Sequence, residues 1–389
     1  MKRIYLDYSA TTPPDPQVIE AMVAVFGSNF GNASSVHSFG REARAVLEQS
    51  RDRVAHWIGA RPDEVFFTSG GTEADNHAVK GVALAGARIG KNEIITSVVE
   101  HHAVLHPVES LRKAGFDVKL LSVGASGQVD PDDVKKAISP KTALISLMLA
   151  NNEVGTINKL DKIAAIAKDA AVPLHSDTVQ AMGKIKVDVN DLGVDVLSIS
   201  AHKFYGPKGI GAIYIRKGTR IEPFMEGGAQ ESNRRAGTEN VPVAAGFAKA
   251  AELAESRMQQ DYSHILDLRG KLKSRLISEF KGLLVNGHEA ECLPHILSVS
   301  FDSSAITLDG EAMIMGLDLE GVAVTSGSAC TSGSLQASHV LLAMGRDERT
   351  ARATVRFSIG RLTTEQEINF AADALKRVVE RVAKVGGGG

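Results

Sequence analysis

The chain has 389 residues, of which 43% are hydrophobic, so it can bury a large core and is expected to form two domains. Its 44 Lys and Arg residues nearly balance its 46 Asp and Glu residues, and the net charge of -2 leaves no basic tract typical of nucleic-acid or membrane-surface binding. The longest apolar run, around TALISLMLA, is far too short to span a bilayer. We therefore expect a cytoplasmic protein with neither nucleic acid nor a membrane as partner.

The first predicted elements form a large domain. In GREARAVLEQSRDRVAHWIGA, apolar or small residues recur on one face of a helix that Gly59 ends. From Glu64 to about Arg216, short β-rich runs alternate with stretches of helical periodicity. This alternation predicts an α/β fold in which a mainly parallel sheet is covered on both faces. The β-rich runs are EVFFT, EIITSVV, DVKLLSV, TALISLML, VPLHSD, VDVLSIS and IGAIYIR.

A second, smaller α/β domain is predicted after the long helical run AGTENVPVAAGFAKAAELAESRMQQ, which could connect the two. Its predicted strands are HILSVSF, GVAVT and TVRFSI. Helices are expected near residues 307–317, near 336–344 and from about 364. We expect residues 15–255 to form the large domain, and residues 1–14 with 256–389 to form the small one.

The first candidate site is a glycine turn in VFFTSGGTEADNHAV, where a strand runs through Gly70, Gly71 and Thr72 into a helix. Backbone N–H groups at such a turn and the helix dipole favour an anion such as phosphate. Thr72 and Asp75 have the spacing of a capping box. The glycines match neither a dinucleotide-binding nor a P-loop pattern, so a phosphate site and a merely tight connection both stay open.

A second candidate site follows the strand in VDVLSISAHKFYGPKGIGAIYI, which delivers Ser200, His202 and Lys203 to a turn rich in Gly and Pro. Burying a lysine is costly unless it is paired or its pKa falls enough to make it a nucleophile. The position therefore suggests a Schiff-base lysine. The alternative is a solvated lysine at a strand end, because most lysines are exposed.

Other polar residues follow neighbouring strands. Asp177 ends the strand pattern in VPLHSDTVQAMGK, with Gln180 shortly after it, and a carboxylate there could hold the pyridinium nitrogen of pyridoxal phosphate (PLP) or cap a helix. His101 could stack on a cofactor ring, move a proton or be structural. Asn152, in ANNEVGT, could be an ordinary turn asparagine.

The chain has two cysteines, Cys292 and Cys330, which gives no disulfide framework and no metal-ligand spacing. We therefore expect reduced thiols and no intrinsic metal. Cys292, in ECLPHIL, has apolar neighbours and is predicted to be structural. Cys330 lies in TSGSACTSGS, whose small and turn-forming residues predict a mobile loop that carries a thiol.

Taken in order, these motifs resemble those of the cysteine desulfurases, which are fold type I PLP enzymes related to the class V aminotransferases. The resemblance covers nearly the whole chain and is closest to the subgroup that supplies sulfur for iron–sulfur clusters. It implies the PLP-dependent transferase fold of type I, with a mainly parallel seven-stranded sheet in the large domain. The motifs are DYSATTP, FGNASSVHSFG, TSGGTEADN, VEHHAVL, ANNEVGT, HSDTVQAMGK, SISAHKFYGPKGIGA, RRAGTEN, TSGSACTSGSLQASHVL and VRFSIGR.

The resemblance implies that four side chains surround the cofactor ring. Lys203 would bind PLP covalently and later act as a base. Asp177 would contact the pyridine nitrogen, and Gln180 would lie near the phenolic oxygen. His101 would stack on the ring and take part in catalysis.

The resemblance also implies a phosphate site and a substrate site. The phosphate would be held by Gly71, Thr72, Ser200, His202 and, from the other subunit of a homodimer, Thr238. Asn152 would contact the cofactor and, with Arg356, the substrate carboxylate, which suits the planar guanidinium group. From its local sequence alone, Arg356 could equally form a salt bridge on its strand.

The implied reaction converts L-cysteine into L-alanine. The Cys330 thiolate would attack the substrate sulfur and keep it as a persulfide. This sulfur would pass to an acceptor protein such as an iron–sulfur scaffold, with which Cys330 could transiently share a cluster-ligand role. The family often has GGGQE or GGGHE followed by RG, whereas this chain reads GGAQESNRRAG, and because Thr238 is intact we expect no loss of activity.

Other functions stay open. A selenocysteine lyase acts on a substrate that differs by one atom. An aminotransferase of the same fold would not need a cysteine in a mobile loop. A non-catalytic PLP-fold partner in sulfur trafficking would not need Lys203, Asp177 and Cys330 together.

Overall fold

The computed structural model describes residues 3–327 and 336–386. The strands are β1 Ile4–Tyr5, β2 Val65–Thr68, β3 Glu93–Ser97, β4 Asp117–Leu121, β5 Thr142–Ser146, β6 Leu174–Asp177, β7 Val196–Ser200, β8 Gly211–Ile215, β9 Leu283–Asn286, β10 Ile296–Phe301, β11 Val322–Ala323 and β12 Thr354–Ser358. The α-helices are α1 Pro16–Ser28, α2 Ser38–Trp57, α3 Gly71–Ala87, α4 His102–Lys113, α5 Pro131–Ala137, α6 Leu160–Asp169, α7 Val189–Leu192, α8 Gln230–Asn233, α9 Val241–Glu279, α10 Gly310–Leu319, α11 His339–Ala343, α12 Glu348–Arg352 and α13 Glu365–Gly386.

The large sheet has seven strands in the order β2-β8-β7-β6-β5-β3-β4. Its pairs are parallel from β7 to β4, and only β8 runs antiparallel to its neighbours β2 and β7. Residues of the central strands β5, β6 and β7 are all buried, as expected for strands of a sheet that is covered on both faces. The predicted α/β fold with a mainly parallel seven-stranded sheet is confirmed.

Alternate residues of each strand point to opposite faces of the sheet and enter different cores. Ile95, Ile145 and Leu197 pack in the core that also contains residues of α2, α6 and the first half of α9. Their neighbours Leu144 and Val196 pack on the other face, with residues of α3 and α4. The predicted helix before the sheet is α2, and it ends at Trp57, two residues before Gly59, whose φ is +69°.

The smaller C-terminal part contains an antiparallel sheet in the order β12-β10-β9 and the parallel pair β1-β11. Its core includes Leu6 from the N-terminal segment, Phe357 from β12 and the inner face of α13. Helix α9 contributes Phe247 to the large core and Leu272 to the small one, so it joins both parts. The division expected from the sequence, with residues 15–255 in one domain and residues 1–14 with 256–389 in the other, stays a prediction, because Leu293 and Ile296 of the second part pack in the large core.

Helix α9 has 39 residues, which makes it longer than the predicted connector. No helix in the described parts of the chain is long and apolar enough to cross a membrane. The short strand β1 and the strand β9 were absent from the sequence-based prediction. Both are short, and β1 forms only because the N-terminus returns to β11, a contact that local periodicity does not encode.

Candidate active site

A cavity of about 400 Å³ opens at the carboxyl ends of β6 and β7. In open α/β sheets, ligands bind at this edge because the loops after parallel strands meet there. Its other walls come from residues 7–10 of the N-terminal segment and from Thr325, Gly327 and Arg356 of the smaller domain. Ten of the residues predicted from the sequence line it: Gly71, Thr72, His101, Asn152, Asp177, Gln180, Ser200, His202, Lys203 and Arg356.

The glycine turn places the N-terminus of α3 at the cavity. Helix α3 begins at Gly71, and its N-cap is Gly70, which makes no side-chain cap hydrogen bond. The capping box predicted for Thr72 and Asp75 is therefore wrong, because Thr72 is already the second helical residue. The tight packing explains the glycines: a Cβ on Gly71 would lie 2.8 Å from Cγ2 of Val179. The backbone can thus approach an anion held at the start of a 17-residue helix.

Lys203 ends a single 3-10 turn, Ala201–Lys203, that follows β7 directly. Its Nζ donates hydrogen bonds to the backbone carbonyls of Ser9 at 2.6 Å and Ala10 at 2.8 Å. The pKa of Lys203 is lowered to about 8, chiefly by burial and then by the nearby Arg356 guanidinium, while the carboxylates of Asp177 and Asp7 act in the opposite direction. About a tenth of this amine is therefore uncharged at pH 7, and about half at pH 8, and the uncharged form is the one that acts as a nucleophile or base.

Two carboxyl groups and one imidazole meet on the other side of the cavity. One ligand atom each from Asp75, His101 and Asp177 lie within 4.8 Å of one another. Burial raises the pKa of Asp177, and the neighbouring His101 opposes that shift. Burial, and then the charge of Asp177, raise the pKa of Asp75 well above its ordinary value. Because two buried carboxylates this close cannot both ionise cheaply, Asp75 is the member that stays protonated.

His101 is the N-cap of α4, and its Nδ1 accepts a hydrogen bond from the backbone N–H of Ala103 at 3.1 Å. Burial lowers the pKa of His101, although Asp177 opposes this. The ring is thus neutral near pH 7, and because Nδ1 is an acceptor the proton resides on Nε2.

Asp75 was not among the residues predicted for the site. It lies on the buried face of α3 and is 1% exposed, and His175 lies behind it with its Nε2 3.6 Å from the Asp75 Oδ1. The His175 ring also contacts the hydroxyls of Ser146 at 2.8 Å and Ser198 at 3.0 Å. Burial lowers the pKa of His175 to about 3, so the ring is neutral. An aspartate in phase with the apolar positions of α3 is the signal that could have identified it.

The N-terminal segment supplies acceptors that the sequence analysis did not assign. The Ser9 carbonyl accepts from Nε2 of Gln180 at 2.9 Å as well as from Lys203. Nδ1 of His202 lies 3.1 Å from the Thr11 hydroxyl, and burial lowers the pKa of His202 to about 4. A neutral His202 can donate to a phosphate oxygen. The segment therefore orients three predicted site residues.

Arg356 lies on β12 and is 5% exposed. Its Nη2 donates to Oδ1 of Asp7 at 3.1 Å, and its Nη1 donates to the Asn152 backbone carbonyl at 2.8 Å. The salt bridge considered from sequence is therefore present, in a guanidinium that also faces the cavity. Asn152 holds the guanidinium through its backbone, a contact that its residue type could not indicate.

Two predicted residues lie elsewhere. Thr238 is exposed and does not line the cavity of its own chain. Cys330, with the loop predicted to be mobile, lies in residues 328–335, outside the described residues. The other cysteine, Cys292, is half-buried, and its Sγ lies 3.4 Å from Nη2 of Arg269, while burial raises its thiol pKa. Those surroundings support the structural role expected for Cys292.

A family model and the sequences of known proteins relate this chain to the same family. Residues 4–370 match the aminotransferase class-V family. The chain is 48% identical over 386 residues to cysteine desulfurase IscS of Dictyoglomus turgidum, covering 99% of this chain and 97% of the relative. It is 43% identical to cysteine desulfurase IscS of Methanosarcina thermophila, covering 98% of this chain and 93% of that protein.

Solved structures have the same fold. A NifS-like protein aligns with a TM-score of 0.90 and 37% identity over 97% of this chain and 100% of its own. A structure described as SspA in complex with cysteine aligns with a TM-score of 0.80 and 34% identity over 93% of this chain and 100% of its own. The chain therefore belongs to the cysteine desulfurases of the aminotransferase class-V family.

Proposed function

We propose that this protein is a PLP-dependent cysteine desulfurase, which converts L-cysteine into L-alanine and passes the sulfur from Cys330 to acceptor proteins such as an iron–sulfur scaffold. The observation that carries the proposal is one cavity that contains an amine with a pKa of about 8, Lys203, beside the buried Asp177 and Arg356. Its 48% identity to a cysteine desulfurase supports the same reaction.

The residues present fit PLP. The cavity, about 400 Å³, is within the usual size range for small-molecule sites. Asp177 would contact the pyridine nitrogen, and His101 would cover the ring. The N-terminus of α3, with Thr72, Ser200 and His202, suits the phosphate.

When bound, PLP supplies an electron sink for the charge left at Cα after proton removal. Arg356 binds the substrate carboxylate and so orients the Cα–H bond toward Lys203. The uncharged Lys203 amine accepts the Cα proton. His101, with its proton on Nε2, is placed to exchange a proton on the cavity side.

Sulfur transfer requires the Cys330 thiolate. It attacks the substrate sulfur, the C–S bond breaks, and its electron pair stays with the carbon, which gains a proton and becomes the methyl group of alanine. The sulfur remains on Cys330 as a persulfide, which a thiol of an acceptor protein can take. We propose a cytoplasmic location, where thiols stay reduced.

We also propose that two subunits complete each site, with Thr238 reaching the partner's phosphate site. Thr238 belongs to a segment that two ion pairs hold to its own chain, Arg51 with Glu231 and Arg235 with Glu73. Asn233, where the family often has Gly, has a φ of 61° that Asn tolerates. Large apolar side chains exposed between residues 19 and 39 support contact with a second copy: Ile19, Val23, Phe26, Phe30, Val36 and Phe39.

The test is to measure alanine and sulfide formed from cysteine by the PLP-loaded protein. Lys203→Ala is expected to abolish the visible absorption of the lysine–cofactor bond and the turnover. Cys330→Ser is expected to keep that absorption and to lose sulfide release. A protein that binds PLP but forms no alanine would refute the proposed function, and undiminished turnover in Cys330→Ser would refute the thiol's role. Selenocysteine, assayed in parallel, decides between desulfurase and selenocysteine lyase.

A further inference from the structure

We propose that Glu153 is a positioning residue that holds Ser338, on the C-terminal side of the segment containing Cys330, in register with Arg356. Gly327 and Ser338 lie on either side of residues 328–335. The inference rests on the proposed function, because it concerns the step in which Cys330 accepts sulfur.

The direction of the Glu153 side chain is fixed by the turn that contains it. The buried Asn151 accepts the backbone N–H groups of Glu153 at 2.9 Å and Val154 at 3.0 Å through its Oδ1. Its Nδ2 donates to the Val99 carbonyl at 3.0 Å. The turn is therefore tied to the end of β3, and Glu153 has little freedom to move.

Glu153 holds the C-terminal flank through Ser338. The Ser338 hydroxyl donates to Oε2 of Glu153 and accepts the backbone N–H of Leu341 at 3.2 Å as the N-cap of α11. Ser338 is 1% exposed, so water does not compete for this contact. The first turn of α11 is thereby fixed to the carboxylate.

The N-terminal flank passes close to Glu153 at Gly327. Gly327 has a φ of +95°, and a Cβ placed on it would lie 3.1 Å from Oε2 and 3.5 Å from Cβ of Glu153. Two residues earlier, the backbone of Thr325 pairs with that of Arg356, through hydrogen bonds of 2.6 and 3.5 Å. The N-terminal flank therefore runs between Arg356 and Glu153.

The same turn also holds the substrate-binding group. The carbonyl of Asn152, the residue before Glu153, accepts Nη1 of Arg356 at 2.8 Å. Adjacent residues thus fix the substrate carboxylate site and the C-terminal flank of the thiol segment. A misplacement of about 1 Å can cost about 100-fold in rate, which makes such a shared support functionally important.

A contribution to folding stability does not explain why a carboxylate is buried at position 153. Glu153 is 5% exposed, and no basic side chain in the described ranges forms a salt bridge with it. A buried carboxylate without a cation is costly. The hydrogen bond that it accepts from Ser338 gives a reason for its presence that concerns position.

The test compares Glu153→Ala, Glu153→Gln and Ser338→Ala with a control, Ser300→Ala. Ser300 also has a buried hydroxyl, bonded to Thr354 at 2.6 Å within the small sheet. Two quantities are measured: alanine formed in a single turnover of the PLP-loaded enzyme, and the rate at which iodoacetamide alkylates Cys330 without substrate, read by mass spectrometry.

We expect Glu153→Ala and Ser338→Ala to slow the single turnover about tenfold or more and to change the alkylation rate, with cofactor absorbance unaltered. Glu153→Gln keeps an oxygen that can accept the Ser338 hydrogen bond. Its single-turnover rate and its alkylation rate should therefore equal those of the wild type. The variant that combines Glu153→Ala with Ser338→Ala should be no slower than Glu153→Ala alone, because the two residues act through one contact. Ser300→Ala should match the wild type.

Wild-type values in Glu153→Ala, or additive effects in the double variant, would overturn the inference. A Glu153→Gln variant as slow as Glu153→Ala would also overturn it, because the negative charge of Glu153, and not its hydrogen bond with Ser338, would then be what matters. If Glu153→Ala does not fold, Ser338→Ala and Glu153→Gln still decide. If the wild type forms no alanine, the proposed function fails, while the alkylation rates still test the contact.

Discussion

Lys203 and Asp177 lie in one cavity, and burial moves both toward their neutral forms. It lowers the pKa of the lysine to about 8 and raises that of the aspartate. Their mutual attraction acts in the opposite direction on each, but desolvation is the larger effect on both. Arg356 then decides how much of the amine is neutral, because it adds a positive charge near Lys203.

For Lys203, the neutral fraction should control the addition of PLP to the apoprotein. We expect the rate of appearance of the cofactor's visible absorption to rise with pH through about 8. Arg356→Gln should move this midpoint to higher pH, because a positive neighbour that lowers the pKa is lost. Arg88→Gln, at an exposed ion pair with Glu222, is the control and should leave it unchanged. A midpoint in Arg356→Gln at or below the wild-type value would contradict this assignment.

Asp75 should make the apoprotein less stable as pH rises. Its pKa is raised in the folded state, so the folded protein keeps a proton that the unfolded chain loses above about pH 4. Asn is neutral and of the same size as Asp, so the Asp75→Asn variant does not lose stability in this way as the pH rises. We expect its stability advantage over the wild type to grow with pH from 5 to 8, by up to about 1.4 kcal/mol per pH unit. Thermal melts of the apoprotein test this, and a constant difference across that range would mean that Asp75 is ionised in the folded protein.

At the level of elements, the glycine turn that precedes α3 depends on close backbone packing around β8. A Cβ on Gly211, the first residue of β8, would lie 2.4 Å from the Ile199 carbonyl and 2.7 Å from the Gly70 backbone carbon. Neither contact can relax by a side-chain rotation. The position of the start of α3 therefore depends on Gly211, which lies on β8 and far from α3 in the sequence.

Gly211→Ala should separate β8 from β7 and displace Gly70. We expect PLP affinity, measured by absorbance titration, to fall at least tenfold, and unfolding to occur at a lower temperature, with a loss of about 1–3 kcal/mol. Gly270→Ala is the matched control, because its Cβ meets nothing within 4 Å in the middle of α9. Wild-type affinity in Gly211→Ala would show that the turn does not depend on this packing.

At the level of the whole molecule, the proposed dimer gives Thr238 a task that its own chain does not provide. Each site would then need Lys203 from one subunit and Thr238 from the other. Within one chain, Thr238 is exposed and lies away from the cavity. Subunits that each fail alone could therefore complement each other.

Mixed dimers test this arrangement. We expect Lys203→Ala to lose the lysine–cofactor absorption and Thr238→Ala to bind PLP at least several-fold more weakly, because one phosphate contact is lost. A mixed dimer of the two should contain one complete site with wild-type affinity. A dimer of wild type with the Lys203→Ala and Thr238→Ala double variant should contain none. Equal affinities in the two mixed dimers would contradict the shared site.

Much of the fold could be predicted because strand signals are local. Buried parallel strands such as β5 and β7 are rich in apolar residues, and the polar residues that end β6 and β7 line the cavity. Asp177, Ser200 and Lys203 were therefore recognisable as site candidates. Asp75 was not, because its spacing from Thr72 favoured a cap that the start of α3 at Gly71 rules out.

The sequence by itself determined the α/β alternation, the strand ends that carry the candidate residues, and the motifs that relate the chain to its family. Only the tertiary structure decided that the carbonyl of Ser9 accepts from Lys203, that the carbonyl of Asn152 holds Arg356, and that the Glu153 carboxylate accepts from Ser338. The first set follows from residue type and period, which are local properties. The second depends on backbone groups and on pairs far apart in the chain, which meet only when the N-terminal segment and the smaller domain close over the sheet.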